Sequence, residues 1–153
     1  MILTATNSDH AIASVRDGSA DLGFVESPGE TADLDAALVA TDELYVVAAP
    51  GHRWSRTGAV SADELASTPL IQREPGSGTR ITYEKALSEL GLVAADPLIE
   101  LRSVTAIRSS VLTSNGVTVL SRLSIADDIA AGRLVRINVD GLSMVRPLRA
   151  VWT

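Results

Sequence analysis

The run Arg73-Glu74-Pro75-Gly76-Ser77-Gly78-Thr79-Arg80 carries the densest set of chemically useful groups in this chain. Two hydroxyls, Ser77 and Thr79, alternate with Gly76 and Gly78, and an arginine stands at each end. Apolar Pro69-Leu70-Ile71 precedes the run and reads as a strand end. Ile81-Thr82-Tyr83-Glu84-Lys85-Ala86-Leu87-Ser88-Glu89-Leu90 follows it and reads as a helix closed by Gly91. The first N–H groups of a helix lack intrahelical partners, and the aligned peptide dipoles add partial positive charge there. Glycines let a ligand approach the backbone, hydroxyls donate hydrogen bonds, and an arginine adds a fixed cation with a planar donor fork. The chemistry of such a loop is the binding of a small anion. No Gly-Lys-Ser/Thr ends it, so it is not a Walker loop. It has no third glycine, so it is not a dinucleotide fingerprint either. A bare helix cap with turn glycines is the competing reading. The strand–loop–helix order and the flanking arginines favour a ligand loop.

Elsewhere the chain offers little catalytic machinery. There are no cysteines, which excludes disulfides and thiolate metal sites and fits a cytoplasmic location. His10 and His52 are far apart and have no ligand spacing around them, so neither a metal nor a cofactor is expected. No Ser/His/Asp order suggests a triad, and no carboxylate pair stands at helical spacing beside a histidine. Asp127-Asp128 reads as a solvated helix face. An enzyme is therefore not expected. The 13 Lys and Arg face 19 Asp and Glu, a formal net charge of −6 with no basic run. Direct nucleic-acid binding by this chain is thereby disfavoured, whereas a few local donors suffice for a small anion.

The elements that would position the loop alternate between strand and helix. Residues 1–6 are apolar enough for a strand. Ser8-Asp9 caps a short helix through Val15, ended by Asp17-Gly18. Residues 20–26 read as a buried strand, 27–33 as a loop, 34–39 as a short edge strand and 43–49 as a strand bounded by Pro50-Gly51. Ser61 with Glu64 three residues on forms a capping box. Beyond the helix at 79–90 lie a strand at 98–101 and a helix at 103–114 with Val104, Ile107, Val111 and Leu112 on one face. A strand at 117–120, a helix at 124–131 and strands at 134–139 and 148–152 follow, the last two joined by a turn near Asp140-Gly141. No stretch reaches the ~20 apolar residues of a membrane span, and the N-terminus has no signal-peptide pattern.

Alternating strands and helices predict α/β lobes with mixed sheets. Ligands of such sheets sit beyond the carboxyl ends of the strands. That rule selects Asn7 and Ser8, Glu26 and Ser27, the loop Gly76, Ser77, Gly78, Thr79 and Arg80, then Val104 and Thr105 behind Ser103, and Ser121. Each, taken singly, also reads as a capping or turn residue.

Several segments resemble LysR-type transcriptional regulators. Asn7-Ser8 with Val15-Arg16-Asp17-Gly18-Ser19-Ala20-Asp21-Leu22-Gly23-Phe24-Val25-Glu26 is similar to their first-lobe segment. Asp42-Glu43-Leu44-Tyr45-Val46-Val47-Ala48-Ala49-Pro50-Gly51-His52 resembles their crossover strand. The Gly-Ser-Gly-Thr loop resembles the ligand loop of a subgroup that includes regulators of carbon fixation and sulfur metabolism. Ala131-Gly132-Arg133-Leu134-Val135 resembles their penultimate strand entry. The resemblance implies a type 2 periplasmic-binding-protein fold, with a partial lobe one at 1–50 and lobe two at 51–153. It implies an interlobe cleft for a small, anionic inducer and pairing of effector domains, with the helices at 9–15 and 103–114 as the matching elements. Contact with DNA would run through a helix-turn-helix that this chain does not contain. A transport-type solute-binding protein is the alternative on the same fold. Related folds in porphobilinogen deaminase and prephenate dehydratase are disfavoured by the missing cysteine and by a half-present Thr79-Arg80-Ile81 motif.

Overall fold

The computed structural model describes residues 1–26 and 31–153. Its hydrogen-bonded strands run in the order β1(Gly23–Val25), β8(Val145–Trp152), β2(Asp35–Ala48), β6(Val117–Ser121), β4(Ile71–Arg73), β5(Ile99–Leu101). A seventh, β7(Val135–Val139), pairs with the second half of β2, and the two-residue β3(Ala59–Val60) pairs with β7. The sheet is mixed: β4 is parallel to both β5 and β6, whereas β2 is antiparallel to β6, β7 and β8.

β2 is the organising strand. The short edge strand and the strong strand expected at 34–39 and 43–49 are one continuous element, with a register shift between Leu38 and Ala40. Residues 35–43 pair with β8, and residues 44–48 pair with β6. The exposure pattern changes at the same point: 35–41 are exposed, whereas Leu44 and residues 46–48 are buried. The turn expected at Asp140-Gly141 follows β7, but β8 does not pair with β7. β8 lies between β1 and the first half of β2, although the sequence reading kept 51–153 together.

Helices cover the sheet on two sides. Trp54, Leu65, Ala66, Tyr83, Ala86 and Leu87 pack on one face, from a 3₁₀ turn(Arg53–Ser55), α2(Ala62–Ser67) and α3(Gly78–Glu89). Ile107, Val111 and Ile125 pack on the other, from α4(Val104–Ser114) and α5(Arg122–Ala130). α1(Ser8–Arg16) buries Ile12 and Val15 against Val25 and Val151. Burying such side chains contributes about 1.5–3 kcal/mol each, which is how an almost wholly aliphatic core suffices.

Three expectations are corrected. Residues 1–6 are exposed coil, because apolar composition makes a strand only where a neighbour completes the ladder. Leu112 is 44% exposed: it follows Val111 by about 100° around α4 and leaves the buried stripe. Asp128 is buried at 2% exposure, not solvated, because Arg108 and Arg133 both reach its carboxylate.

Candidate functional site

The N-terminal end of α3 lies against the first strand of the chain. Gly78 packs so closely on Ser8 and Glu26 that a Cβ there would stand 2.9 Å from Ser8 Oγ and 3.1 Å from the Glu26 carbonyl carbon. Gly76, at φ +87°, supplies the left-handed residue that turns β4 into α3. Between these elements is a cleft of about 270 Å³, lined by Asn7, Ser8, Glu26, Ser77, Gly78 and Thr79 among others. These six had been selected from the sequence, and the fold brings them together.

Capping separates α3 from the other helices. Asn7 caps α1 by accepting from His10 N, one residue earlier than expected. Ser61, Ser103 and Ser121 cap α2, α4 and α5. The Ser77 hydroxyl, at the same position of α3, makes no such bond although the residue is 2% exposed. The first-turn amides of α3 are thus left for whatever enters the cleft. In the α2 box Glu64 does not close the reciprocal bond. Its carboxylate takes Arg53 at 3.1 Å and Trp54 Nε1 at 3.2 Å instead.

The remaining predicted residues lie elsewhere. Arg80 turns away from the cleft: its Nε meets Glu84 at 2.8 Å, and its Nη1 meets Glu100 at 2.7 Å. Gly76 faces Asp9 rather than the cleft. Val104, Thr105 and Ser121 are outside the lining; Val104 and Thr105 open α4 behind its Ser103 cap, and Ser121 caps α5. Ser27 falls outside the described residues.

Sequence reasoning missed other lining residues: Thr6, Phe24, Val39, Leu148 and Arg149, of which Arg149 also donates to Thr31 Oγ1 at 3.0 Å. Arg73 lines the cleft and is tied to Glu74 at 2.9 Å, whose other oxygen accepts from Asn7 Nδ2 at 3.3 Å. Burial works against the Glu74 charge, but the bonds from Arg73, its own N–H and Asn7 outweigh it and hold the carboxyl below its usual range.

Arg146 of β8, like Asp42 and Asp128, is buried at 2% exposure. Its Nη2 meets Glu26 at 2.8 Å and Asp42 at 3.2 Å, its Nε also reaches Asp42, and its Nη1 donates to Thr79 Oγ1 at 3.2 Å. One guanidinium thus joins the end of β1, the middle of β2 and the start of α3. No local pattern around position 146 signals this, since its partners are brought up only by the strand order.

This architecture is similar to solved regulatory domains. The regulatory domain of Synechocystis CcmR, solved in complex with 2-PG, matches with a TM-score of 0.80 at 25% identity over 95% of this chain and 70% of that one. An uncharacterized HTH-type transcriptional regulator of Mycobacterium tuberculosis is 52% identical over 156 residues, covering 99% of this chain and 50% of its own length. The HTH-type regulator CbbR of Rhodospirillum rubrum is 31% identical over 94% of this chain and 47% of its own. The chain spans about half the length of the curated relatives it matches. Residues 1–153 match the LysR substrate binding domain, and the chain belongs to that family.

Proposed function

We propose that the chain is the effector-sensing part of a LysR-type transcriptional regulator and that a small anion occupies the cleft between α1, β1 and the start of α3. The observation that carries this reading is the uncapped N-terminus of α3 opening on a cleft lined by Ser77, Thr79 and Arg73. Amide N–H groups, two hydroxyls and a nearby cation suit a carboxylate, phosphate ester or oxyanion. The solved complex of a similar domain with 2-PG supports a small-molecule effector for a domain of this fold. Val104, Thr105 and Ser121 remain proposed contributors that would engage a larger effector. Promoter contact belongs to a helix-turn-helix outside these residues, and the expected setting is the cytoplasm. The proposed lobes are 1–43 with 145–152, and 44–144, following the pairing of β2 and β8.

The test is calorimetry of the purified chain with sulfate, phosphate and small carboxylates. Ser77→Ala with Thr79→Val removes two hydroxyl donors, each worth about 0.5–1.5 kcal/mol. A weakened anion supports the site; an affinity unchanged by the double substitution rejects it.

A further inference from the structure

We propose that Arg146 is a positioning residue that sets the sign of the cleft's selectivity, by fixing Thr79 as a hydrogen-bond donor and by offsetting part of the charge of Glu26. The inference rests on the reading of the cleft as an anion site and adds how that preference is built.

A guanidinium only donates. The 3.2 Å bond from Arg146 Nη1 therefore uses Thr79 Oγ1 as an acceptor. The hydroxyl proton of Thr79 must point elsewhere, and no acceptor for it exists among the described residues. Thr82, in the same helix, bonds back to the Gly78 carbonyl instead. Thr79 lines the cleft, so its proton is presented to the ligand, and a ligand atom meeting it must be an acceptor. A hydroxyl free to rotate would accept donors and acceptors alike. The bond from Arg146 removes that ambiguity.

The second effect is electrostatic. Glu26 lines the same cleft with its side chain half exposed, a poor neighbour for an anion. Arg146 Nη2 holds it at 2.8 Å and offsets part of its charge, the same guanidinium also facing Asp42. Asp42 anchors the guanidinium from the opposite strand, and its second oxygen accepts from Glu43 N at 2.8 Å. The guanidinium is thereby fixed in one orientation, with Nη1 on Thr79. A lysine at this position would keep the charge but not reach three partners, because it lacks the planar fork.

The experiment is a double-mutant cycle in ligand affinity, with inorganic phosphate as the probe in calorimetry at neutral pH and low salt. Thr79→Val alone is expected to weaken phosphate about 5-fold, the loss of one hydroxyl donor. In the Arg146→Lys background the same change should cost less than about 2-fold, because Thr79 is no longer held as a donor. A purely structural role for Arg146 gives equal losses in both backgrounds and overturns the proposal. Should Arg146→Lys not fold, Asp42→Asn, which loosens the guanidinium from β2, takes its place as the background. A loss on Thr79→Val that shrinks there supports the fixing of Thr79, and an equal loss overturns it. A wild-type chain that binds none of the anions removes the cleft reading and this inference together. A wild-type chain that binds phosphate with additive losses overturns this inference alone.

Discussion

Arg108 of α4 and Asp128 of α5 stand twenty residues apart in the chain, yet the Arg108 Nη2 lies 2.8 Å from one oxygen of Asp128 and 2.7 Å from the other. Arg133 adds a third contact at 2.8 Å. The carboxylate is buried while both arginines keep part of their surface in water, so the pair clamps the two helices on one face of the sheet. The bond from Arg108 outweighs the burial that opposes charge, and with Arg133 it holds the Asp128 carboxyl below its ordinary value of 3.8.

A carboxyl lowered in the folded state adds stability above its unfolded pKa, and that stability is lost as pH falls through the folded value. Asp128→Asn should therefore cost about 1–3 kcal/mol at neutral pH, less than a fully buried pair because both arginines are partly solvated. Urea melts of wild type and variant should differ at pH 7 and converge as the pH falls through the lowered pKa of the Asp128 carboxyl. A gap that persists undiminished in acid would assign the loss to packing.

Gly78→Ala tests the approach of α3 to β1. Alanine favours a helix by about 1 kcal/mol over glycine, so an open position would gain stability. Here the added methyl meets Ser8 Oγ and the Glu26 backbone, which cannot swing aside. A net loss of about 1–3 kcal/mol in denaturant melts is expected.

Tyr83 runs the other way. It is 1% exposed, its hydroxyl has no hydrogen-bond partner among the described residues, and burial raises its pKa far above normal. Tyr83→Phe removes a desolvated polar group and keeps the ring in the buried cluster that includes Trp54 and Leu87. Thermal melting should show a variant equal to wild type or more stable by up to about 1 kcal/mol.

Self-association is expected through the face of β1 and β8 that carries Phe24, a residue that also lines the rim of the cleft. Register puts Phe24 beside Ala150 on that face, and Phe24 is 64% exposed. Light scattering at micromolar concentration should give a mass above the 16.0 kDa monomer, and Phe24→Lys should return it to the monomer. Arg108, on the helix at 103–114 that the resemblance places in the pairing, is a weaker choice for this test, because charge reversal there also breaks the bond to Asp128. A Phe24→Lys protein that associates as wild type does would place the contact on another surface.

Local pattern made much of the fold legible. The period of Ile107 and Val111 marks α4, Asn115 in the left-handed conformation ends it, and the glycine-bracketed hydroxyls mark the turn into α3. What local pattern could not show depends on distant neighbours. Residues 1–6 have a strand's composition, but no ladder among the described residues receives them. Asp128 reads as solvated until Arg108 is brought to it. Arg146 sits in an unremarkable strand and gains its role from Asp42, 104 positions away, and Thr79, 67 positions away. The hydroxyl loop was visible as a ligand candidate, but the turning of Arg80 toward Glu84 and Glu100 was not, because both partners suit a surface helix and edge strand as well.

The pairing of the first half of β2 with β8 also bears on how the chain is made. Residues 35–43 find their partner only when residues 145–152 have been synthesised, so the first half of β2 must wait for about a hundred further residues. Residues 44–144 contain their own sheet partners and can condense first. α1 and β1 then dock last, once β8 closes beside β2, with the loop-closure cost of a contact spanning over a hundred residues. Order of assembly thus runs against order of synthesis: β1 is completed by β8, the strand made after every other described strand.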